Sequence, residues 1–180
     1  MHRFVSLSAL FLVAAMIAGY QFNARARAAD VASVPVGFRV GERAPEFDLL
    51  SVGEDRSLRS ADLIGKPVII NFFCGCNFCS IVGKEWVANR DKLGDAVLVA
   101  VQSSHWTYSP DAVRDYRKKT GWTWPVLADM QRQMANRYNA LTCPRLFVVD
   151  RQGIIRYASE AGASDEKQLV ADALAAAQGR

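Results

Sequence analysis

Apolar residues fall along the chain in two spacings, and each predicts a different kind of element. Val68-Ile69-Ile70-Asn71-Phe72-Phe73 and Ala96-Val97-Leu98-Val99-Ala100-Val101 are near-continuous runs, the pattern of strands buried on both faces. A helix is predicted between them, from a cysteine cluster to about Arg90, with Ile81, Val82, Trp86 and Val87 able to share one face. Upstream, Phe47-Asp48-Leu49-Leu50 suits a short strand, and Ser60-Ala61-Asp62-Leu63 a brief helical turn stopped by Gly65 and Pro67. Ser109-Pro110-Asp111 opens a helix with a capping hydroxyl and a first-turn proline. It closes on Lys118-Lys119-Thr120-Gly121, basic residues followed by glycine. Trp122 to Leu127 suits a short strand and Gln131 to Asn139 a third helix. Leu146–Val149 and Ile154–Tyr157 flank Asp150-Arg151-Gln152-Gly153 as a hairpin, and a last helix runs from about Ser164 to Ala177. This alternation predicts an α/β fold, a central mixed β-sheet flanked by helices on both faces, in one domain.

The N-terminus follows a different pattern. Met1-His2-Arg3 is a short positive segment, an uncharged and mostly apolar stretch follows to about Phe22, and Ala24-Arg25-Ala26 and Ala26-Arg27-Ala28 offer small-x-small spacings. Residues 1–28 therefore read as an export signal or an N-terminal membrane anchor, 29–40 as a linker, and 41–180 as the folded domain. Extracytoplasmic placement, in a periplasm, is expected, either secreted or held by that segment. Composition changes the picture only a little. With 51% hydrophobic and 22% charged residues the chain suits a globular domain. Arg3, Arg25 and Arg27 supply three of the four net positive charges, so the remainder is nearly neutral and no nucleic-acid footprint is expected.

The chemistry is concentrated in four cysteines, at 74, 76, 79 and 143. Three of them lie within six residues, which is poor stapling because tiny loops remove little chain entropy. Cys76-Asn77-Phe78-Cys79 is a C-x-x-C between a buried strand and the start of a helix. Free N–H groups and the dipole at a helix N-terminus favour a thiolate, the attacking species in disulfide exchange. On this reading Cys76 attacks and Cys79, deeper along the helix, resolves the mixed disulfide. Zinc sites use the same spacing, so a metal reading stands beside the redox one.

With these features the chain resembles the redoxin branch of the thioredoxin-like superfamily, which includes the alkyl hydroperoxide reductase/thiol-specific antioxidant family and thioredoxin-like thiol–disulfide reductases. The resemblance runs from about Gly41 to Tyr157. It is carried by Glu42-Arg43-Ala44-Pro45-Glu46-Phe47-Asp48-Leu49, by Gly65-Lys66-Pro67 leading into the first buried strand, and by Thr142-Cys143-Pro144-Arg145-Leu146-Phe147-Val148-Val149-Asp150. It implies a thioredoxin-like fold, a cis peptide bond at Pro144 beside the C-x-x-C, and a groove there that orients partner peptides. It also implies protein thiols or disulfides and a redox partner protein as partners, with no cofactor, since the cysteines carry the electrons.

Departures from the family pattern define the open questions. The loop before Cys76 is short and holds Cys74, Cys143 directly precedes Pro144, and Asn71 stands where many thioredoxins carry a buried acid. The resemblance thus brings all four thiols to one site. Cys74 and Cys143 could pass a disulfide onward, join a soft-metal site for copper or zinc or an iron–sulfur cluster, or be small buried hydrophobes. Alternatives to exchange are a peroxiredoxin-like thiol peroxidase and a non-enzymatic Cys-ligated metal carrier. The peroxidase reading lacks the Pro and Thr expected before its cysteine, although Arg145 could stand for its arginine. His105, Trp106, Tyr108, Trp122 and Trp124 suggest a proton carrier or a peptide groove, but exposed-loop, core and rim roles are the commoner outcome. Arg114, Arg117, Lys118 and Lys119 read as a dipole-matched helix end.

Overall fold

The computed structural model describes residues 7–54, 56–102, 110–160 and 165–179. The chain divides into two units, Met1–Pro35 and Val36–Arg180. The first holds a single helix, α1 (Leu7–Ser33). Helical backbone thus covers the opening of the stretch expected as a linker, and the larger unit begins at Val36 instead of Gly41. The physical reason is backbone pairing: Val36 bridges to Arg43, and the Gly37 N–H donates to the Arg43 carbonyl. Among the described residues, no helix is long and apolar enough to cross a membrane.

The larger unit is built on β3 (Val68–Phe73), every residue of which is buried. It pairs in parallel with β4 (Val97–Gln102) on one side and antiparallel with β6 (Arg145–Val149) on the other. β5 (Val126–Ala128) lies outside β4 and β7 (Ile155–Ala158) outside β6, giving the order β5-β4-β3-β6-β7. β1 (Asp48–Leu50) and β2 (Ser57–Arg59) form a separate antiparallel pair. The predicted mixed sheet is therefore present. The opening segment of the family pattern, Glu42 to Leu49, is largely irregular, with strand only from Asp48.

Side chains from alternate positions of these strands form two cores. Ile69, Phe73, Leu98, Ala100, Leu146 and Val148 pack with α2 (Asn77–Ala88), α3 (Pro110–Thr120) and α5 (Glu166–Ala177). Ile70, Phe72, Val99, Val101 and Phe147 pack with α4 (Gln133–Arg137) and with Phe47, Leu63 and Tyr138. Among the described residues, helices thus flank both faces of the sheet, three α-helices on the first and one short α-helix with irregular chain and the 3-10 turn Ser60–Leu63 on the second.

Within α2, Val82 and Trp86 are buried as predicted, but Ile81 is 41% exposed. The inward face runs instead through Cys79, Val82, Gly83 and Trp86. Gly83 explains the offset. A Cβ there would lie 2.6 Å from the Tyr116 hydroxyl and 2.9 Å from Thr120 Cγ2, so α3 approaches α2 at the one residue lacking a side chain.

Candidate redox site

Strand β3 delivers Cys74 at its C-terminal end, and the antiparallel neighbour β6 begins just after Cys143-Pro144. Phe72 stands opposite Arg145 in the ladder, so continuing that register by two residues places Cys74 opposite Cys143. The two are joined by a disulfide with Cα atoms 6.2 Å apart. Of the roles left open for Cys74 and Cys143, that of small buried hydrophobes does not hold, because both are half-buried and covalently paired. It also qualifies the stapling argument, since the partner of Cys74 lies outside the crowded cluster. At a sequence separation of 69 the bridge closes a long loop, for which chain entropy predicts about 4 kcal/mol of stabilisation.

The peptide bond between Cys143 and Pro144 is cis, as the family resemblance implies, and Pro144 is buried.

Cys76 is the N-cap of α2, in extended conformation, and its sulfur accepts a hydrogen bond from the Cys79 N–H at 3.5 Å. A cysteine here occupies the place usually taken by Ser, Thr or Asp, whose oxygens satisfy the same free donors. The Cys76 carbonyl accepts from the Ser80 N–H at 3.0 Å and from the Ser80 hydroxyl at 3.1 Å, which fixes the first turn. Gly75 links the two cysteine-bearing segments with φ +82°, a left-handed conformation that costs a residue with a side chain about 1 kcal/mol or more.

The two thiols of the C-x-x-C face each other at 3.4 Å. Cys76 is half-buried and Cys79 fully buried, the order of accessibility expected for an attacking and a resolving thiol. Burial pushes the Cys79 thiol up to about 12, and the neighbouring Cys76 adds to that shift. The N–H groups of Cys74 and Gly75 oppose it by donating toward the sulfur, the former at 3.4 Å. Behind Cys79, the Tyr116 hydroxyl donates to the Cys79 carbonyl at 3.4 Å, and its ring stacks on Phe73 at 4.4 Å. Burial, then the nearby thiols, hold this phenol above its usual range. Tyr116 is not legible as a site residue in the sequence, because nothing in its local pattern says that α3 crosses α2 at Cys79.

All four sulfurs lie within 4.8 Å of one another, and Cys74 Sγ is 3.9 Å from Cys79 Sγ. The predicted convergence is therefore present. Asn71 sits on the same face of β3 as Ile69 and Phe73, fully buried, and neither of its amide atoms has a protein partner among the described residues. Arg145 lies over the Phe147 ring at 5.5 Å, and Phe147 belongs to the core on the other face of the sheet from Cys79.

The aromatic candidates divide. Trp122 is buried and makes an edge contact with Trp124 at 5.0 Å, which in turn lies under the Arg90 guanidinium; these are core and rim positions. His105, Trp106 and Tyr108 lie outside the described residues. The basic end of α3 is engaged locally, with Arg117 donating to the Trp124 carbonyl.

A buried strand ending at a dithiol on a helix N-terminus, opposite a cis-proline loop, is the arrangement of a thioredoxin-like redox site. Residues 40–158, more than half of the chain, match the AhpC/TSA family. The chain belongs to the AhpC/TSA family. Among its relatives, it is 29% identical over 126 residues to the thioredoxin-like protein YneN of Bacillus subtilis, covering 67% of this chain and 71% of that one. It is 30% identical over 115 residues to the thiol–disulfide oxidoreductase ResA of Bacillus subtilis, covering 63% of each. The chain thus spans less than two thirds of the length of that oxidoreductase. The fold is also that of a secreted Mycobacterium tuberculosis disulfide oxidoreductase homologous to Escherichia coli DsbE, at TM-score 0.62 and 18% identity, covering 72% of this chain and 95% of that one.

Proposed function

We propose that this AhpC/TSA-family protein is a thiol–disulfide oxidoreductase that exchanges disulfides with protein partners through Cys76 and Cys79. The observation that carries this reading is the asymmetry of the dithiol: Cys76 caps a helix N-terminus and is accessible, while Cys79 is buried 3.4 Å away. Cys76 attacks the partner disulfide, and one partner sulfur leaves as a thiolate. Cys79 then attacks Cys76 in the mixed disulfide, releasing the second partner thiol and closing Cys76–Cys79. Pro144, with Cys143 before it, forms the wall of the groove in which the partner peptide lies. Relatives named as thiol–disulfide oxidoreductases and a secreted disulfide oxidoreductase of the same fold support the activity and an extracytoplasmic location. The signal-like residues 1–28 provide the route there, as a cleaved signal or an anchor.

Trapping tests the reading. Cys79→Ser leaves the mixed disulfide unresolved, so the variant should accumulate covalent adducts with partner proteins that thiol reductant releases. Adducts that persist in Cys76→Ser, or none in either variant, would count against it.

One observation favours a second reading. With all four sulfurs within 4.8 Å, the fully reduced site has the donor set of a soft-metal centre for zinc or Cu(I). Stoichiometric metal on the purified protein, lost on Cys76→Ser, would promote that reading over exchange.

A further inference from the structure

We propose that the Cys74–Cys143 disulfide is a second redox centre that exchanges electrons internally with the Cys76/Cys79 dithiol. The proposal rests on the redox reading of Cys76 and Cys79 and adds where their electrons go.

Three placements support it. Cys74 Sγ lies 3.9 Å from Cys79 Sγ, near van der Waals contact, so no backbone movement is needed to bring thiol and disulfide together. The Cys74 N–H already donates to Cys79 Sγ, which fixes the buried sulfur toward the end of β3 and offsets part of the burial that holds it protonated. The β3–β6 ladder, paired as far as Phe72 and Arg145, leads Cys74 and Cys143 to opposite positions through backbone hydrogen bonds separate from the S–S bond, which favours closing the pair again after it opens. A purely structural staple needs none of the first two features.

The exchange balances within the chain. The Cys79 thiolate attacks Cys74 Sγ, forming Cys79–Cys74 and breaking Cys74–Cys143, and Cys143 leaves as a thiolate. The Cys76 thiolate then attacks Cys79 Sγ across 3.4 Å, forming Cys76–Cys79 and releasing Cys74 as a thiolate. Two electrons pass from one pair to the other, and the two protons lost by Cys76 and Cys79 match those taken up by Cys74 and Cys143. No outside reductant enters the step. Its product is a dithiol whose Cys143 lies beside Pro144, so a partner in that groove meets a thiol the C-x-x-C itself does not place there.

Cys76→Ser removes the second step and should stop the exchange at its intermediate. Digestion with trypsin makes this readable, because Cys74 and Cys79 share the peptide Ser60–Lys84, whereas Cys143 is alone in Tyr138–Arg145. The full-length variant, with one disulfide, is incubated at about pH 9, where thiolate attack is faster, then alkylated and digested. The expected result is loss of the cross-link between the two peptides, a disulfide internal to Ser60–Lys84, and alkylated Cys143. Cys76→Ala should give the same map. A cross-link that remains complete in both variants overturns the internal exchange, as does wild-type protein that holds a metal on all four reduced cysteines. Reversible titration of Cys76 and Cys79 in the wild type is read separately. If that couple is present and the cross-link stays, the internal exchange fails alone; if it is absent, the parent reading fails.

Discussion

The backbone N–H of Cys74 points at the sulfur of Cys79 from 3.4 Å, across the turn that joins strand β3 to helix α2. It is one of two backbone donors that stabilise a thiolate at a position where burial otherwise opposes it. Burial wins, and Cys79 stays protonated near neutral pH. In the reduced protein, alkylation at about pH 8 should therefore modify Cys76 before Cys79, by at least about tenfold in rate. Site-resolved mass spectrometry checks the order, and preferential labelling of Cys79 would contradict it.

The raised Cys79 thiol also sets an alkaline limit. Its folded value, pushed up to about 12, exceeds the ordinary thiol value of the unfolded chain. Between those values the folded state holds a proton that the unfolded state has lost, so stability falls as pH rises through that range. The stabilisation is complete below about pH 9 and disappears toward pH 12. Tyr116 and Tyr138 are held above their usual range mainly by burial, which is common to both redox forms. The Cys76–Cys79 disulfide form lacks the thiol and should lose less stability over this range. Denaturant unfolding of both forms at pH 8 and pH 10 gives the comparison.

Gly83 permits the close crossing of α2 and α3. Alanine would gain helix propensity, about 1 kcal/mol, but its Cβ would press on Tyr116 and Thr120. Neither can yield readily: the Tyr116 ring is stacked on Phe73, and the Thr120 hydroxyl donates to the Tyr116 carbonyl. Gly83→Ala should destabilise the protein by about 1–3 kcal/mol by overpacking, as read from thermal or urea unfolding. A neutral or stabilising effect would contradict the close packing.

Asn71 is fully buried, and among the described residues neither of its amide atoms has a protein partner. An apolar residue of similar size avoids that desolvation cost, so Asn71→Leu should stabilise the fold by about 1–2 kcal/mol. Urea unfolding at fixed redox state checks it. Loss of stability would mean that the amide is satisfied, with water as its partner.

The parts of this fold most legible in sequence are those governed by burial alone. Val68–Phe73 and Val97–Gln102 stand out because strands covered on both faces must be apolar throughout. Cys76 and Cys79 are legible as a dithiol because a long apolar strand followed by an amphipathic segment puts them at a helix N-terminus. The inner face of α2 is less legible because it is lined by Cys79, Ser80 and Gly83, small residues that a count of large apolar side chains overlooks. The strand expected from Trp122 begins only at Val126, after Pro125, which lacks the N–H a ladder needs. The Cys74–Cys143 pairing is illegible for a different reason. Sequence spacing carries no information about which residues an antiparallel ladder sets opposite each other.

The most direct test of the central claim is a redox titration of the protein read by thiol alkylation and intact mass. Cys76 and Cys79 should titrate together as one two-electron couple, and Cys76→Ser should abolish it. A protein with no reversible couple at these residues, or one that keeps a bound metal through the titration, would contradict the account.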